Sequence, residues 1–167
     1  IRIANCSGYY GDKLSAAKEM VEGGPIDVLT GDYLAELTMA ILYSQKLQRG
    51  EDKGYVGKFL KQLKDIAKTC KDQKIKIVSN AGGLNPKSMA KEVETILTEL
   101  DVDATVAYID GDDLVEELEQ LQAAGELLDN IDRKIPLAQS DCKVLSANTY
   151  LGGWGIKEAL DLGADIV

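Results

Sequence analysis

Asp32 follows Gly31 at the end of the apolar run Ile26-Asp27-Val28-Leu29-Thr30, and Asp112 follows Gly111 after a second apolar run, Ala104-Thr105-Val106-Ala107-Tyr108-Ile109, and Asp110. A carboxylate carried into a loop by the end of a strand is a candidate general acid or base, because neighbours and burial there can move its pKa. These two aspartates are the acid–base candidates of the chain. Glu36 stands four residues after Asp32. A helix starting at residue 33 would set both carboxylates on one face, where they can bind a divalent cation or divide acid and base roles.

Three further clusters hold groups suited to gripping a ligand. Ser7-Gly8-Tyr9-Tyr10-Gly11-Asp12 offers Ser7, Gly8, Gly11 and Asp12, with glycines that let backbone approach closely. Ser79-Asn80-Ala81-Gly82-Gly83 offers Asn80, Gly82 and Gly83, whose amide and backbone N–H groups suit an oxyanion or a carbonyl oxygen. Asn148-Thr149-Tyr150-Leu151-Gly152-Gly153-Trp154-Gly155 offers Asn148, Tyr150 and Gly152, with aromatic rings able to wall an apolar pocket. Each cluster also has a purely structural reading. Asp12 and Asp32 suit helix caps, the acidic run 110–113 suits a first helical turn, and Trp154 suits packing over a sheet edge. Their common position, directly after an apolar run, is what argues for a site.

Composition narrows the chemistry. Among 167 residues there is no histidine, so neither a Ser-His-Asp nor a Cys-His unit can be built from them. Proton transfer falls to Asp, Glu, Tyr, Lys, Cys or water. Cys6, Cys70 and Cys142 are odd in number and show no CxxC spacing, which suits a reducing compartment better than a disulfide framework. Cys6 sits at a strand end but reads as a small buried residue, since nothing is at hand to activate it. The net charge of -9 argues against nucleic acid and anionic membrane surfaces as partners. A small carboxylate or phosphate can still be held locally by backbone N–H groups. No G-x-G-x-x-G or P-loop spacing occurs, so no standard nucleotide site is expected. A divalent cation is the cofactor class that the carboxylate clusters admit. No apolar run approaches the roughly 20 residues of a membrane span.

The elements that would position these clusters alternate along the chain. Strands are expected over 1–5, 26–30, 75–78, 104–109 and 142–147, with a sixth starting at 164. Helices are expected over 13–21, 33–48, 55–71, 86–100 and 114–124, with a last one ending near 162. Gly23-Gly24-Pro25 stops the first helix, and Pro86 suits the first turn of another. Repeated strand–helix units predict one α/β domain over 1–167, a mainly parallel sheet with helices on both faces, doubly wound and Rossmann-like in three layers. Part of a β/α barrel is the alternative. Strands one and three are expected near the sheet centre, and Asp32 within reach of the 80–83 loop. Ligands of such sheets bind outside the carboxyl ends of the strands, where the clusters fall. The chain opens inside one strand-like run and closes inside another, so it reads as the N-terminal portion of a longer protein.

The segment Ile1-Arg2-Ile3-Ala4-Asn5-Cys6-Ser7-Gly8-Tyr9-Tyr10-Gly11-Asp12 resembles the start of the acyclic terpene utilisation, AtuA-like, proteins. Gly31-Asp32-Tyr33-Leu34-Ala35-Glu36-Leu37-Thr38-Met39, Asn80-Ala81-Gly82-Gly83-Leu84-Asn85-Pro86, Gly111-Asp112-Asp113-Leu114 and Asn148-Thr149-Tyr150-Leu151-Gly152 resemble further blocks of that family in the same order. Cys6 departs from the pattern, where a small residue such as alanine is expected. The resemblance implies a cytoplasmic α/β protein tied to the breakdown of citronellol- and geraniol-type acids as CoA thioesters, hence a CoA moiety at the site, and it supplies a pathway without a reaction. Two function classes are consistent with it. One is an enzyme acting on a branched acyl-CoA or related carboxylate. The other is a non-catalytic subunit or binding domain, either a homo-oligomer or part of an acyl-CoA carboxylase complex, which the missing histidine and the unactivated Cys6 favour.

Overall fold

Three short apolar runs pair side by side in parallel in the computed structural model, which describes residues 1–167. They are β1 (Ile3–Asn5), β2 (Val28–Gly31) and β3 (Lys76–Ser79), in the order β1-β2-β3. The register sets Ala4 beside Leu29 and Leu29 beside Ile77, with Asn5, Thr30 and Val78 one residue on. Side chains alternate across a sheet, so Ala4, Leu29 and Ile77 share one face. That face carries the core.

Over it lie α1 (Ala16–Glu22), α3 (Gly57–Asp72) and α4 (Pro86–Glu99), with α1 against α3 and α3 against α4. α3 shows why. Phe59, Leu63, Ile66, Ala67 and Cys70 recur at helical spacing and are buried, while Lys61, Lys64, Lys68 and Lys71 are exposed. α4 starts where expected. Pro86 takes its first turn, and the Asn85 side chain accepts the Ser88 N–H at 3.1 Å. α2 (Glu36–Arg49) joins β2 to the segment before α3.

The sheet continues through single bridges. Ile166 pairs in parallel with Ile77 on one side and with Val106 on the other. The ladder bonds include Ile77 N–H to Asp165 O at 2.9 Å, Val167 N–H to Ile77 O at 2.8 Å and Ala107 N–H to Ile166 O at 2.9 Å. The segment expected as the last strand is thus inserted between β3 and the 104–109 segment. Beside Ile109, which alternates away from Val106, Gly155 of α6 (Trp154–Asp161) packs so closely that a Cβ there would stand 2.8 Å from Ile109 Cγ1. Helices therefore flank both faces of an open parallel α/β sheet, as the strand–helix alternation predicts.

Three expectations are corrected. β1 lies at the sheet edge and not near the centre. Each crossover from β1 to β2 to β3 advances one strand, with α1 and α3 neighbours on one side, whereas a central β1 would need its helices on opposite sides. The 104–109 segment forms only the bridge at Val106. The 142–147 segment forms no strand; Asn148 instead pairs antiparallel with Asp113.

Contacts divide the chain into two units, Ile1–Asp110 with Gly152–Val167, and Gly111–Leu151. The second contains α5 (Leu118–Ala123) and two 3-10 turns, and none of its residues is buried. Backbone bonds organise it, among them Leu114 N–H to Ala147 O at 2.8 Å and Leu137 N–H to Leu127 O at 3.1 Å. No helix of the chain is long and apolar enough to cross a membrane.

Candidate functional site

The loops after β1, β2 and β3 are tied to one another by side chains and backbone. After β1, Cys6 N–H extends the ladder to Thr30 O at 2.9 Å, and the Ser7 carbonyl accepts the Asp32 N–H at 2.9 Å. The Ser7 hydroxyl turns inward and donates to Tyr9 O at 3.0 Å. Asp12 closes the loop on itself. Its carboxylate accepts Gly8 N–H at 2.8 Å and Lys13 N–H at 3.1 Å. These two backbone bonds hold the Asp12 carboxyl below its ordinary pKa. They also explain why α1 begins at Ala16 and not at residue 13. Gly11 leaves room for the Tyr9 ring, which would stand 2.4 Å from a Cβ there.

After β2, Asp32 is exposed while its neighbour Tyr33 is 0 % exposed. The chain stays extended through Ala35 (φ -152°), and α2 starts at Glu36. Asp32 and Glu36 are therefore not one helical turn apart, which corrects the expected carboxylate pair. Residues that could hold a cation do not assemble elsewhere either, since no group of three or more Cys, Asp or Glu side chains has metal-binding geometry.

Asn80, just after β3, ties its loop to the one after β2. Its Nδ2 donates to Asp32 Oδ1 at 2.6 Å, and its Oδ1 accepts the Tyr33 N–H at 2.9 Å. Asp32 comes within reach of the 80–83 loop, as expected. The amide expected to hold a ligand oxygen is instead engaged with the protein at both ends. The Ser79 hydroxyl donates to Gly31 O at 2.8 Å and accepts the Ala81 N–H at 3.1 Å. Gly82 and Gly83 are needed for packing. A Cβ on Gly82 would stand 2.7 Å from Pro86 Cβ. Gly83 has φ +54°, and a Cβ there would stand 2.4 Å from Leu42 Cδ1 and 2.8 Å from Gly54 O.

Beneath these loops lies a buried polar chain that the sequence reading passed over. The Tyr33 hydroxyl donates to Gln62 Oε1 and lies 3.8 Å from Cys6 Sγ, and Gln62 Nε2 donates to Lys13 O at 3.4 Å. Burial, only partly offset by the hydrogen bond with Tyr33, raises the Cys6 thiol pKa, so it stays protonated and is a poor nucleophile. Gln62 stands three residues after Phe59 and four before Ile66, on the apolar stripe of α3. A polar residue on that stripe is the signal by which sequence reasoning could have found it.

In the second unit, Asp112 and Asn148 form a similar clasp. Asn148 Nδ2 donates to Asp112 Oδ2 at 2.9 Å, and Thr149 N–H donates to Asp112 O at 2.8 Å. Asp113 caps the following turn through Val115 N–H at 3.0 Å. Tyr150 is 99 % exposed. In the first unit, Gly152 has φ +72° ahead of α6, and Trp154 is 81 % exposed, so it does not pack over the sheet edge.

The loops thus present one exposed carboxylate, Asp32, on a scaffold fixed by buried polar groups. The chain matches no curated protein and no solved structure. A family model described as acyclic terpene utilisation family protein AtuA matches residues 1–167. Over its whole length, therefore, the chain belongs to the acyclic terpene utilisation family, and that membership implies a role in acyclic terpene utilisation.

Proposed function

We propose that the protein acts in the catabolism of branched acyl-CoA thioesters of the citronellol and geraniol type, and that their acyl part binds at the carboxyl ends of β1, β2 and β3. The observation that carries this reading is the Asn80–Asp32 bond at 2.6 Å, which fixes an exposed carboxylate where three parallel strands deliver their loops. In parallel sheets that edge is where ligands bind. Asp32 is the acid–base group of this site, Asn80 orients it, and the Ser7 to Asp12 loop forms the adjoining wall. Asp112, held by Asn148, is a second candidate of the same kind in its own unit. Three free cysteines support a cytoplasmic location. Calorimetric titration of the full chain with branched acyl-CoA thioesters tests the proposal. Binding to the wild type that weakens in Asp32→Asn supports it, and no binding by the wild type overturns it.

The state of Cys6 favours a second reading. A buried, protonated thiol and no histidine leave the loops without a thiolate or a histidine-activated nucleophile. A non-catalytic subunit of an acyl-CoA carboxylase needs none. Stable co-purification with a carboxylase supports that role, while turnover of thioester by the isolated protein excludes it.

A further inference from the structure

Most polar groups on the loops after β1, β2 and β3 are already committed. Ser7 and Ser79 donate inward to Tyr9 O and Gly31 O. Thr30 Oγ1 lies 3.3 Å from both Ala4 O and Asn5 Oδ1. The carboxamide of Asn80 bonds Asp32 and Tyr33, and both oxygens of Asp12 hold backbone N–H groups. Of the six N–H groups from Asn80 to Asn85, four have protein acceptors, so the loop is not an open oxyanion hole. The nearby cations are engaged too. Lys58 donates to Asp12 O, and Lys13 pairs with Glu19.

Between the two carboxylates of these loops, Asp12 is fully committed and Asp32 is not. Asn80 holds Asp32 Oδ1, whereas Oδ2 accepts no hydrogen bond from the protein, and no Lys or Arg lies within ion-pair distance of either oxygen. The second unit repeats the arrangement. Asn148 holds Asp112 Oδ2, and Asp112 Oδ1 has no side-chain or backbone partner. In both clasps an asparagine fixes one carboxylate oxygen and turns the other out. A carboxylate with no counter-charge repels an anionic ligand group and accepts a hydrogen bond from a neutral donor.

We infer, resting on the thioester-site reading above, that the ligand group meeting Asp32 is a hydroxyl on the branched acyl chain, and not a carboxylate or phosphate. Asp32 then selects hydroxylated acyl chains over their deoxy counterparts, while the anionic CoA end lies away from it. A hydrogen bond to a charged acceptor gives about a tenfold preference or more.

The test titrates the full chain with two CoA thioesters of one branched skeleton, one bearing a hydroxyl and one lacking it. Wild type, Asp32→Asn and Asp32→Ala are compared. The wild type is expected to bind the hydroxylated thioester about tenfold more tightly, and Asp32→Ala to lose that preference. Equal affinity of the wild type for both thioesters overturns the inference and leaves the thioester site standing. A preference that survives Asp32→Ala overturns it as well. If neither thioester binds the wild type, the site reading itself falls, and the inference with it. Because the first comparison uses the wild type alone, a variant that fails to fold does not blunt the test.

Discussion

Asn80 Nδ2 donates to Asp32 Oδ1 at 2.6 Å across 48 residues of sequence, while the same carboxamide accepts the N–H of Tyr33 at 2.9 Å. One side chain at the end of β3 thereby sets both the carboxylate and the backbone that follows β2. The arrangement makes Asn80 a positioning residue and leaves Asp32 as the group that faces solvent.

Asp32→Asn keeps an oxygen for the Asn80 N–H group and removes only the charge. The melting temperature is expected to stay within about 3 °C of wild type, since the change in stability is under about 1 kcal/mol. Affinity for a branched acyl-CoA is expected to fall about tenfold or more. Thermal melts and calorimetry on the same preparations read both quantities. A sharp fall in melting temperature with unchanged affinity makes Asp32 a structural link and removes it from the site.

Gly83→Ala is expected to cost more than about 2 kcal/mol. The new methyl meets Leu42 Cδ1 at 2.4 Å and the Gly54 carbonyl at 2.8 Å, and the φ of +54° disfavours any side chain. Gly153→Ala is the control, because a Cβ there meets nothing within 4 Å. Urea denaturation distinguishes them. If Gly83→Ala matches wild type in stability and loses ligand, the glycine serves the ligand and not the packing against Gly54.

The sequence made the strand ends legible because each of β1, β2 and β3 is an apolar run that stops in glycine or polar residues. The meeting of Asp32 with the 80–83 loop follows from their lying at the same ends of adjacent parallel strands. Strand order was not legible. The position of β1 at the edge depends on which side α1 and α3 take, and periodicity reports a buried stripe without saying which side of the sheet it covers. The task of Asn80 was equally hidden, because its residue type suits a ligand oxygen and an internal clasp alike. Gly82 and Gly83 looked like backbone donors, yet the Gly54 carbonyl and Pro86 press against them. Such non-local approaches leave no mark on local spacing. Residues 142–147 read as a strand ahead of a glycine-rich polar loop, but none of 111–151 is buried, so no core supports that reading.

Asp165 anchors the opposite end of the sheet and gives a pH-dependent signature. Burial alone would raise its pKa. Hydrogen bonds from Lys71 and Lys76, each at 2.8 Å, and from Thr105 N–H at 3.1 Å outweigh that and hold the carboxyl well below its ordinary value. A carboxyl whose folded pKa is depressed stabilises the protein above its unfolded pKa, and loses that contribution as pH falls toward the folded value. Asp165→Asn is therefore expected to cost about 1–3 kcal/mol at pH 7. The difference from wild type should narrow below about pH 4, near the unfolded carboxyl pKa. Denaturation curves between pH 7 and pH 3 check this. A gap that stays constant over that range shows that the two lysines do not hold the carboxylate ionised.

Gln62→Leu tests whether the buried chain under the loops governs their order. Leucine suits the apolar stripe of α3, but it leaves Lys13 O without its side-chain donor and the Tyr33 hydroxyl without its acceptor. The orphaned Tyr33 hydroxyl costs about 1–3 kcal/mol, offset in part by the gain in apolar burial, whereas Lys13 O keeps the Ala16 N–H. Loss of the Lys13 tie should also release the loop after β1. Faster hydrogen exchange is therefore expected at Gly8 and Lys13, whose N–H groups Asp12 holds, with α4 unchanged. Mass spectrometry after deuterium labelling resolves the two regions. A uniform rise in exchange over both means that Gln62 supports the whole core equally, whereas a rise confined to the loop after β1 makes it a positioning residue for the edge where Asp32 is presented.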